Sequence, residues 1–359
     1  MKKIKLGDLC VPSAGQLKKD SDEIIDYIDI SSVDNETKKV TSYQTLLFEE
    51  APSRARKIVK KGSILVSTVR PNLNAVAMLE EDTPNISVAS TGFCVLDSKE
   101  NVDNRFILNF CKSKTFINAM VAQATGASYP AVSDKIVRAA LVPDYTYEEQ
   151  CNISEVLYKV SNVIEKRKAE LCSLDTLIKA RFVELFGDPI RNTQNRPTTE
   201  FINVVKMQRG FDLPVQDRQQ DGEIPVFGSN GALDYHNVAK IHGGVITGRS
   251  GTIGKVFYTE GDFWPLNTSL FSADTHGNNV IYLGYLLQLF DLTRFVEGTG
   301  VPTLNRNMFH NKQIIDVPID EQRQFAEFVK QIDKSQSAVK KALDETQLLF
   351  DSLMQEYFG

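Results

Sequence analysis

The sequence repeats itself at long range, and this repeat limits what the chain can fold into. Glu149-Gln150 recurs as Glu321-Gln322. The residues Glu-Leu-Phe-Gly at 184–187 recur as Glu-Tyr-Phe-Gly at 356–359, with the same offset in residue number. We call this shared spacing, from position 149 to position 321, the repeat offset. A period of this length indicates two duplicated domains, because the repeats of a solenoid are only about 20–50 residues long.

Matching pieces upstream give the order of the duplicated parts. The turn at residues 126–130 corresponds to residues 298–302 at the repeat offset, and the apolar run 62–66 resembles 243–247 at a shifted offset. The chain has 359 residues, a length typical of about two to three domains. We therefore predict a domain, a helix, a second domain and a second helix.

Each helical segment has apolar residues at the 3.5-residue period of a coiled-coil seam. The same spacing occurs where an amphipathic helix covers a core, but two matched segments favour mutual pairing. The predicted seam residues are Ile153, Leu157, Val160, Ile164, Leu171, Leu174, Ile178 and Leu185 in the first segment and Phe325, Val329, Ile332, Val339, Leu343, Phe350 and Leu353 in the second.

The direction of the helix pair follows from the chain order. The first helix leaves the first domain and ends near the start of the second domain. To bury its seam on the first helix, the second helix must run back towards the first domain, so we predict an antiparallel two-helix coiled coil. The predicted fold is an α/β (α+β) tandem pseudo-two-fold repeat with domains at 1–148 and 201–320, helices at 149–187 and 321–359, and a linker at 188–200.

Residues that commonly end helices flank both segments. Thr146 and Glu149 have the spacing of a capping box at the start of the first helix. Gly187 followed by Pro189 ends that helix, since proline cannot continue it. Asp320 is placed to cap the second helix.

Motifs for catalysis, metal binding and membrane insertion are missing. The four histidines form no ligand pair and the five cysteines are scattered, so we expect no catalytic residue, no metal site and no disulfide framework. Residues 248–256 resemble a phosphate-binding loop but miss its spacing by one residue. The N-terminal lysines precede no apolar segment, and the longest nearly apolar run, 280–290, is shorter than the ~20 residues that span a bilayer. We expect a soluble, cytoplasmic protein that does not enter a membrane.

The charge balance leaves room for a local basic surface. Lys and Arg number 41 against 46 Asp and Glu, a net charge of -5, which excludes a uniformly basic nucleic-acid binder. Phosphate contact and the solvated face of an amphipathic helix are equally good interpretations of one basic cluster. Its residues are Arg54, Arg56, Lys57, Lys60 and Lys61.

Two loops follow matching apolar strands and carry side chains suited to nucleic acid. Arginine can form two bonds to guanine and asparagine two to adenine, while glycine lets backbone amides approach phosphates. Ordinary hairpin turns have a similar composition, so composition alone does not decide. The candidate DNA contacts are Ser67, Thr68, Arg70, Asn72 and Asn74 in the first loop, Arg249, Ser250, Thr252 and Lys255 in the second, and Ser128, Tyr129, Thr299, Thr303 and Asn305 in and after the repeated turn.

Together these features resemble the specificity subunit of type I restriction-modification systems, over essentially the whole chain. Each matching segment is short, and the resemblance lies in their order and in the helix repeat. The segments are residues 5–9 (KLGDL), 62–71 (GSILVSTVRP), 247–254 (TGRSGTIG), 298–305 (GTGVPTLN) and 318–322 (PIDEQ).

The resemblance implies two target recognition domains, each reading one half of a split sequence in double-stranded DNA. It implies that the helices fix the spacer and dock two modification subunits, which use S-adenosylmethionine to methylate adenine N6. A separate restriction subunit, a translocase that uses ATP and Mg, cleaves DNA. The chain itself would be a non-catalytic subunit that binds no cofactor and takes part in phage defence.

The helix length bounds the spacer. A helix over 149–187 is ~58 Å long at ~1.5 Å per residue, which corresponds to at most ~17 base pairs at ~3.4 Å each. A separation of ~10 base pairs would keep both domains on one face of the duplex. Because the two domains differ in sequence, the target should be asymmetric. Because the chain is acidic, it should bind DNA weakly alone and more tightly with its partner subunits.

Two other functions fit parts of the sequence. A coiled-coil adaptor whose end domains bind proteins or glycans would explain the helices and the acidity, but not the arginine-containing loops. A nuclease could use Glu36 and Lys38 with Asp26 or Asp29, although acid-x-Lys triplets are frequent by chance on solvated loops.

Overall fold

Two units, each with its own core, make up the chain. One unit consists of Met1–Lys166 with Leu343–Gly359, and the other of Arg167–Ala342. The structure, a computed structural model, describes residues 2–12, 15–17, 23–219, 221–298 and 302–359.

The first unit is a mixed α/β domain. Its strands are β1 (Lys3–Lys5), β2 (Ile24–Ile28), β3 (Val33–Asp34), β4 (Lys39–Val40), β5 (Gln44–Leu47), β6 (Ala55–Ile58), β7 (Ile64–Ser67), β8 (Val76–Met78), β9 (Ile86–Ser90), β10 (Phe93–Leu96) and β11 (Leu141–Pro143). Its helices are α1 (Leu6–Leu9), α2 (Asn104–Lys112), α3 (Lys114–Gln123), α4 (Asp134–Ala139) and the first part of α5 (Tyr147–Phe186). One sheet has the order β10-β7-β8-β4-β3, another has the order β5-β2-β9-β6, and β1 pairs with β11.

The sequence of the first unit explains its central layer. β7 is buried along its whole length, and its apolar run is typical of a strand that is covered on both faces. α2 packs against β7 and β8 because Phe106, Ile107, Phe110 and Cys111 share one buried face at helical spacing. Asp103 starts this helix, since its side chain accepts a hydrogen bond from the N–H of Phe106.

The second unit has the same class of architecture. Its strands are β12 (Thr198–Glu200), β13 (Lys206–Arg209), β14 (Ile224–Gly228), β15 (Gly231–His236), β16 (Ile241–Gly248), β17 (Val256–Pro265), β18 (Ser269–Asp274), β19 (Val296–Glu297), β20 (Thr303–Leu304) and β21 (Gln313–Ile315). Its helices are the rest of α5, α6 (Phe201–Val204), α7 (Val280–Phe290) and most of α8 (Ile319–Phe358), whose last part belongs to the first unit. One sheet has the order β13-β18-β16-β17-β14-β15, and β12-β21 and β19-β20 form pairs.

The duplication predicted from the sequence is confirmed by matching hydrogen bonds. β1 pairs antiparallel with β11, and β12 pairs antiparallel with β21. A one-turn helix follows β1 and β12 in turn. In the first unit, the N–H of Leu6 at the start of this helix donates to the carbonyl of Ala140. In the second unit, the N–H of Phe201 donates to the carbonyl of Lys312, and both distances are 2.8 Å. The positions of these two acceptors are separated by the repeat offset of the sequence.

The long helices begin and end at the predicted signals, with one exception. The N–H of Thr146 donates to Glu149 Oε2 at 2.7 Å and the N–H of Glu149 donates to Thr146 Oγ1 at 3.4 Å, so the capping box is formed. α5 ends at Phe186, before Gly187 in the left-handed conformation (φ +79°). The prediction that Asp320 caps α8 is wrong. Asp320 already lies in the first turn, where an acidic side chain suits the positive end of the helix dipole.

In the first unit, the start of α5 and the end of α8 share one core. Ile153 and Leu157 of α5 belong to the same buried cluster as Phe358 of α8. The hydroxyl of Tyr145, just before α5, donates to the carbonyl of Tyr357 at 3.4 Å.

In the second unit, the end of α5 lies beside the start of α8. The rings of Phe182 and Phe325 are 5.4 Å apart. Arg196, in the predicted linker, donates to the carbonyl of Leu185 at 2.6 Å and pairs with Glu321 at 2.7 Å. Each unit therefore places the end of one helix beside the beginning of the other, as antiparallel pairing requires.

The predicted seam residues all lie away from solvent, at least in part. Six are buried: Ile153, Leu157, Ile164, Ile178, Phe325 and Val329. Half-buried side chains are Val160, Leu171, Leu174, Leu185, Ile332, Val339, Leu343, Phe350 and Leu353. Within the described ranges, no helix is long and apolar enough to cross a membrane.

Candidate nucleic-acid interface

The loop after β7 in the first unit is held in an unusual backbone conformation. Arg70 (φ +48°) and Asn74 (φ +47°) are both left-handed, which residues other than glycine rarely adopt. They flank a single 3-10 turn, Pro71–Leu73. The N–H of Arg70 donates to the carbonyl of Pro130 at 2.7 Å, which joins this loop to the repeated turn.

Arg70 and Tyr129 form an exposed pair on this loop. The guanidinium of Arg70 lies 4.9 Å from the centre of the Tyr129 ring, a cation–π arrangement, and Tyr129 is 68% exposed. Asn72 and Ser128 are exposed as well. We call Arg70, Asn72, Ser128 and Tyr129 the first loop surface. A guanidinium placed over a ring and open to solvent can bond a phosphate or a guanine edge.

Three predicted contact residues of the same loop have internal partners instead. The hydroxyls of Ser67 and Thr68 each donate to a main-chain carbonyl at 2.9 Å, and both residues are buried. The amide of Asn74 donates to the carbonyl of Cys111 at 2.9 Å. These side chains anchor the loop to the domain and do not face solvent.

The basic cluster of the first unit lies on a strand and its flanks, so the interpretation as a helix face is wrong. The Arg56 guanidinium lies over the Phe48 ring at 5.1 Å. Lys57 Nζ pairs with Asp134 at 2.6 Å and donates to a main-chain carbonyl at 2.6 Å. Its charge is therefore already compensated inside the domain. Exposed members of the cluster are Arg54, Lys60 and Lys61.

Three arginines meet in a groove of the second unit. Arg209 comes from the end of β13, Arg249 follows β16, and Arg306 begins a short turn after β20. We call this cavity of about 260 Å³ the arginine groove, and it is lined by Arg209, Arg249, Leu270, Thr303, Leu304, Asn305, Arg306 and Asn307. Arginines that line one groove together with residues bearing hydroxyl and amide groups suit a polyanion.

Main-chain bonds fix Arg249 in this groove. Its N–H donates to the carbonyl of Thr268 and its own carbonyl accepts from the N–H of Leu304, both at 2.8 Å. Its guanidinium donates to the carbonyl of Asn267 at 3.3 Å. The residue before it must be glycine, since any side chain on Gly248 would collide with the main chain.

Three further predicted residues, Ser250, Thr303 and Asn305, lie close to Arg249. Ser250 forms an isolated antiparallel bridge with Thr303, which lines the groove. Asn305 is exposed and its side chain accepts from the N–H of Asn307 at 3.1 Å. This bond orders the turn that carries Arg306.

The rest of the second loop lies outside the groove lining. Thr252 is exposed. Lys255 Nζ donates to Asn230 Oδ1 at 2.8 Å, so it is tied to the turn between β14 and β15. Thr299, predicted as a DNA contact, lies outside the described residues.

The two loops are equivalent, but their arginines are not. The N–H of Val132 donates to the carbonyl of Thr68, and the N–H of Leu304 donates to the carbonyl of Arg249, both at 2.8 Å. The positions of these two donors are again separated by the repeat offset. Thr68 therefore corresponds to Arg249, while Arg70 lies further along its loop.

Sequence reasoning missed three residues of the groove, Arg209, Arg306 and Asn307. Arg209 lies on a different strand, far from Arg249 in the sequence, and no motif includes it. Arg306 and Asn307 directly follow the predicted contact Asn305, so this alternation of amide and guanidinium side chains was a usable signal.

A histidine packs near the groove without adding charge at neutral pH. His310 is partly buried, and burial lowers its pKa, as do the positive charges of Arg306 and Lys206. Its Nε2 accepts from the N–H of Met207 at 3.2 Å, which the neutral ring allows. The positive charge of the groove therefore belongs to the arginines.

Three of the residues considered for a nuclease, Asp26, Asp29 and Lys38, have structural partners. Asp29 caps a short 3-10 turn, and the buried carboxylate of Asp26 accepts from Thr45 at 2.6 Å. Lys38 Nζ donates to the carbonyl of Asn74 at 2.6 Å. In the part of the chain that the structure describes, no group of three or more His, Cys, Asp or Glu side chains is arranged to hold a metal ion.

The match to a family of known proteins agrees with the duplicated fold. The family model of the type I restriction modification DNA specificity domain matches residues 1–172 and 192–346. The chain therefore belongs to this family, whose domain it contains twice.

A curated relative and two solved structures are similar to the chain. The type I restriction enzyme HindI specificity subunit of Haemophilus influenzae is 27% identical over 150 residues, which cover 40% of this chain and 32% of the relative. The alignment thus spans about a third of that relative. A chain from a study of complex assembly and conformational transition of the type I R-M system has a TM-score of 0.64 at 21% identity, covering 99% of this chain and 97% of that one. The type I restriction-modification S subunit from M. genitalium has a TM-score of 0.64 at 15% identity, covering 100% and 96%. At these identities the two structures share the fold alone.

Proposed function

We propose that the chain is the DNA specificity subunit of a type I restriction-modification complex and reads a bipartite, asymmetric target. In this proposal the first loop surface contacts one half of the target and the arginine groove contacts the other. The chain carries out no chemistry itself. It directs adenine-N6 methylation by two modification subunits, and DNA cleavage by restriction subunits, to one sequence.

The observation that carries the proposal is that the two loops differ although equivalent main-chain bonds hold them. Thr68 and Arg249 occupy equivalent positions and make equivalent main-chain bonds, yet the Thr68 hydroxyl is bonded inside the domain while Arg249 lines the arginine groove. A duplicated domain with one ligand would have similar loops in both copies. Different loops on one frame suit two different half-sites, since direct readout depends on the donor and acceptor pattern of each base pair.

The proposal assigns cofactors to the partner subunits. S-adenosylmethionine would be bound by the modification subunits, and ATP and Mg by the restriction subunits. The two long helices would dock the modification subunits and hold the half-sites at a fixed spacing. Since the chain has a net charge of -5, partner subunits would supply much of the phosphate neutralisation.

Titration of the target duplex tests the proposal. The target is first identified by mapping N6-methyladenine in host DNA with and without the gene. Gel shifts at two salt concentrations, with and without the modification subunits, should give weak binding by the chain alone and tighter, sequence-specific binding by the complex. Equal affinities in the two cases, or methylation that does not depend on the gene, would contradict it.

A further inference from the structure

A buried glutamine occupies the same position in both units. Gln150 and Gln322 are the second residues of the repeated Glu-Gln pairs, and only 3% and 1% of their surfaces are exposed. Each lies near the start of a long helix, α5 or α8. A buried amide needs partners for its donors and its acceptor, so the partners indicate what each glutamine holds.

In the second unit, Gln322 joins α8 to the start of α7. Its Oε1 accepts from the N–H of Asn279 at 2.9 Å. Its Nε2 donates to Asn278 Oδ1 at 2.6 Å and to the carbonyl of Val317 at 2.7 Å. Asn279 is the cap of α7, since its side chain accepts from the first N–H groups of that helix. The single side chain thus connects a long helix, the segment before it and the main helix of the domain.

In the first unit, Gln150 makes the corresponding bonds. Its Oε1 accepts from the N–H of Asp103, the cap of α2, at 3.1 Å. Its Nε2 donates to the carbonyl of Tyr145 at 2.9 Å. One turn later on α5, the hydroxyl of Ser154 donates to Asp103 Oδ1 at 2.5 Å. The same helix-to-cap connection is therefore present in both units and has a different third bond in each.

The chemistry of these bonds differs from that of the surrounding core. Apolar contacts are non-directional and tolerate a small rotation of a domain against its helix. Hydrogen bonds weaken steeply away from their preferred distance and angle, and a buried donor that loses its partner is costly. The glutamines therefore select one orientation among those that the apolar contacts would allow.

We propose that Gln150 and Gln322 are positioning residues that fix each recognition domain on its long helices and so restrict the half-site separations that the protein accepts. This inference rests on the proposed function, because separation has meaning only for a bipartite target. Neither glutamine touches DNA in this proposal. Each acts through the cap of α2 or α7.

The test measures spacing selectivity in the assembled complex with its modification subunits. Duplexes carry the correct half-sites with the spacer unchanged, shortened by one base pair or lengthened by one base pair. The readout is the ratio of dissociation constants between altered and correct spacers. Gln322→Leu removes every hydrogen bond of the side chain at nearly constant volume, and Gln322→Glu keeps the acceptor for Asn279 but loses both donated bonds. Gln150→Leu is the counterpart in the first unit.

Leu286→Ala is the matched control, because Leu286 of α7 is fully buried in the same unit, has no polar group in its side chain and is not a seam residue. It should lower the thermal stability while leaving the spacing ratio at the wild-type value. The leucine variants should lower that ratio by about tenfold, the change that about 1.4 kcal/mol of lost discrimination gives. If Gln322→Leu fails to fold, Gln322→Glu provides the measurement.

Two results would overturn the inference in different ways. Glutamine variants that lose stability like the control but keep the wild-type ratio would show that the glutamines only stabilise the fold. A wild-type complex with no preference for any spacer would contradict the bipartite target, and thus the proposed function on which the inference rests.

Discussion

After β7 the first unit has Thr68, whose hydroxyl is bonded inward, and after β16 the second unit has Arg249, which lines a groove with two other arginines. The bonds that place the two residues are the same. The frame of each domain is therefore set by main-chain bonds and by apolar residues that fill the core. The loops at its rim can therefore differ without disturbing that frame.

The largest expected effect concerns the frame. Phe358 and Phe186 hold equivalent positions near the ends of α8 and α5, and both are almost fully buried. Phe358→Ala should destabilise the first unit and Phe186→Ala the second, each by about 3–5 kcal/mol, since a large cavity is left behind. Hydrogen exchange resolved by peptide would measure the free energy of unfolding of each unit.

Leu348→Ala is a suitable control for this pair, because Leu348 is 70% exposed on α8. It should change neither unit by more than about 0.5 kcal/mol. Equal losses in both units from either phenylalanine variant would mean that the two cores do not unfold separately.

The next largest effect concerns the unlike loops. Arg249→Ala should weaken binding of the target duplex by about 10- to 100-fold, since a good bidentate contact contributes about 1–3 kcal/mol. Arg323→Ala, an exposed arginine on α8 of the same unit, should leave the affinity within about twofold. Gel-shift titration of the complex compares the two, and an equal loss in both would mean that the groove has no special role.

A smaller effect should distinguish two basic residues of the first unit, Lys57 and Lys60, by their roles in stability and in DNA binding. Lys57 is compensated by Asp134, so Lys57→Ala should reduce the stability by about 1 kcal/mol without changing the affinity for DNA. Lys60 is exposed to solvent. Lys60→Ala should reduce the slope of log affinity against log salt concentration by about 1, the value for one lost phosphate contact. Thermal unfolding and gel shifts at several salt concentrations measure both. The assignment fails if Lys57→Ala weakens DNA binding and Lys60→Ala does not.

A last comparison concerns pH dependence. The ninth residue of α2 is Lys112, whereas the ninth residue of α7, its counterpart in the second unit, is Gln288. Burial lowers the pKa of Lys112 from 10.5 to about 8. Between pH 8 and 10.5 the unfolded chain thus binds a proton that the folded unit does not, so this lysine makes the free energy of unfolding rise with pH. Lys112→Met should remove that rise, measured as the difference from wild type by urea denaturation. No change in the slope of the first unit would contradict it.

The sequence predicted the parts of the fold that depend on repetition and periodicity. The long-range repeat and the capping box at Thr146 both correspond to observed bonds. Asp320 was assigned wrongly because a carboxylate suits both the cap and the first turn of a helix, and the pattern alone does not separate the two.

The candidate site was harder to predict, because it depends on contacts between distant segments. Arg209 reaches the groove from another strand, and no local pattern indicates this. Asn74 and Lys57 are residue types that often contact nucleic acid, but in the fold the side chains of both bond to partners within the domain. Composition identifies which residues can bind a phosphate, while only the tertiary structure decides which of them remain open to solvent.

The division of the chain between the two cores has a consequence for synthesis on the ribosome. The second unit is one continuous stretch, Arg167–Ala342, whereas the first unit also needs Leu343–Gly359. The domain translated first is therefore completed last, after the whole of its duplicate has emerged. Until then Phe106 and Phe110 lack the ring of Phe358 that packs against them, so part of the apolar core of the nascent first domain stays uncovered.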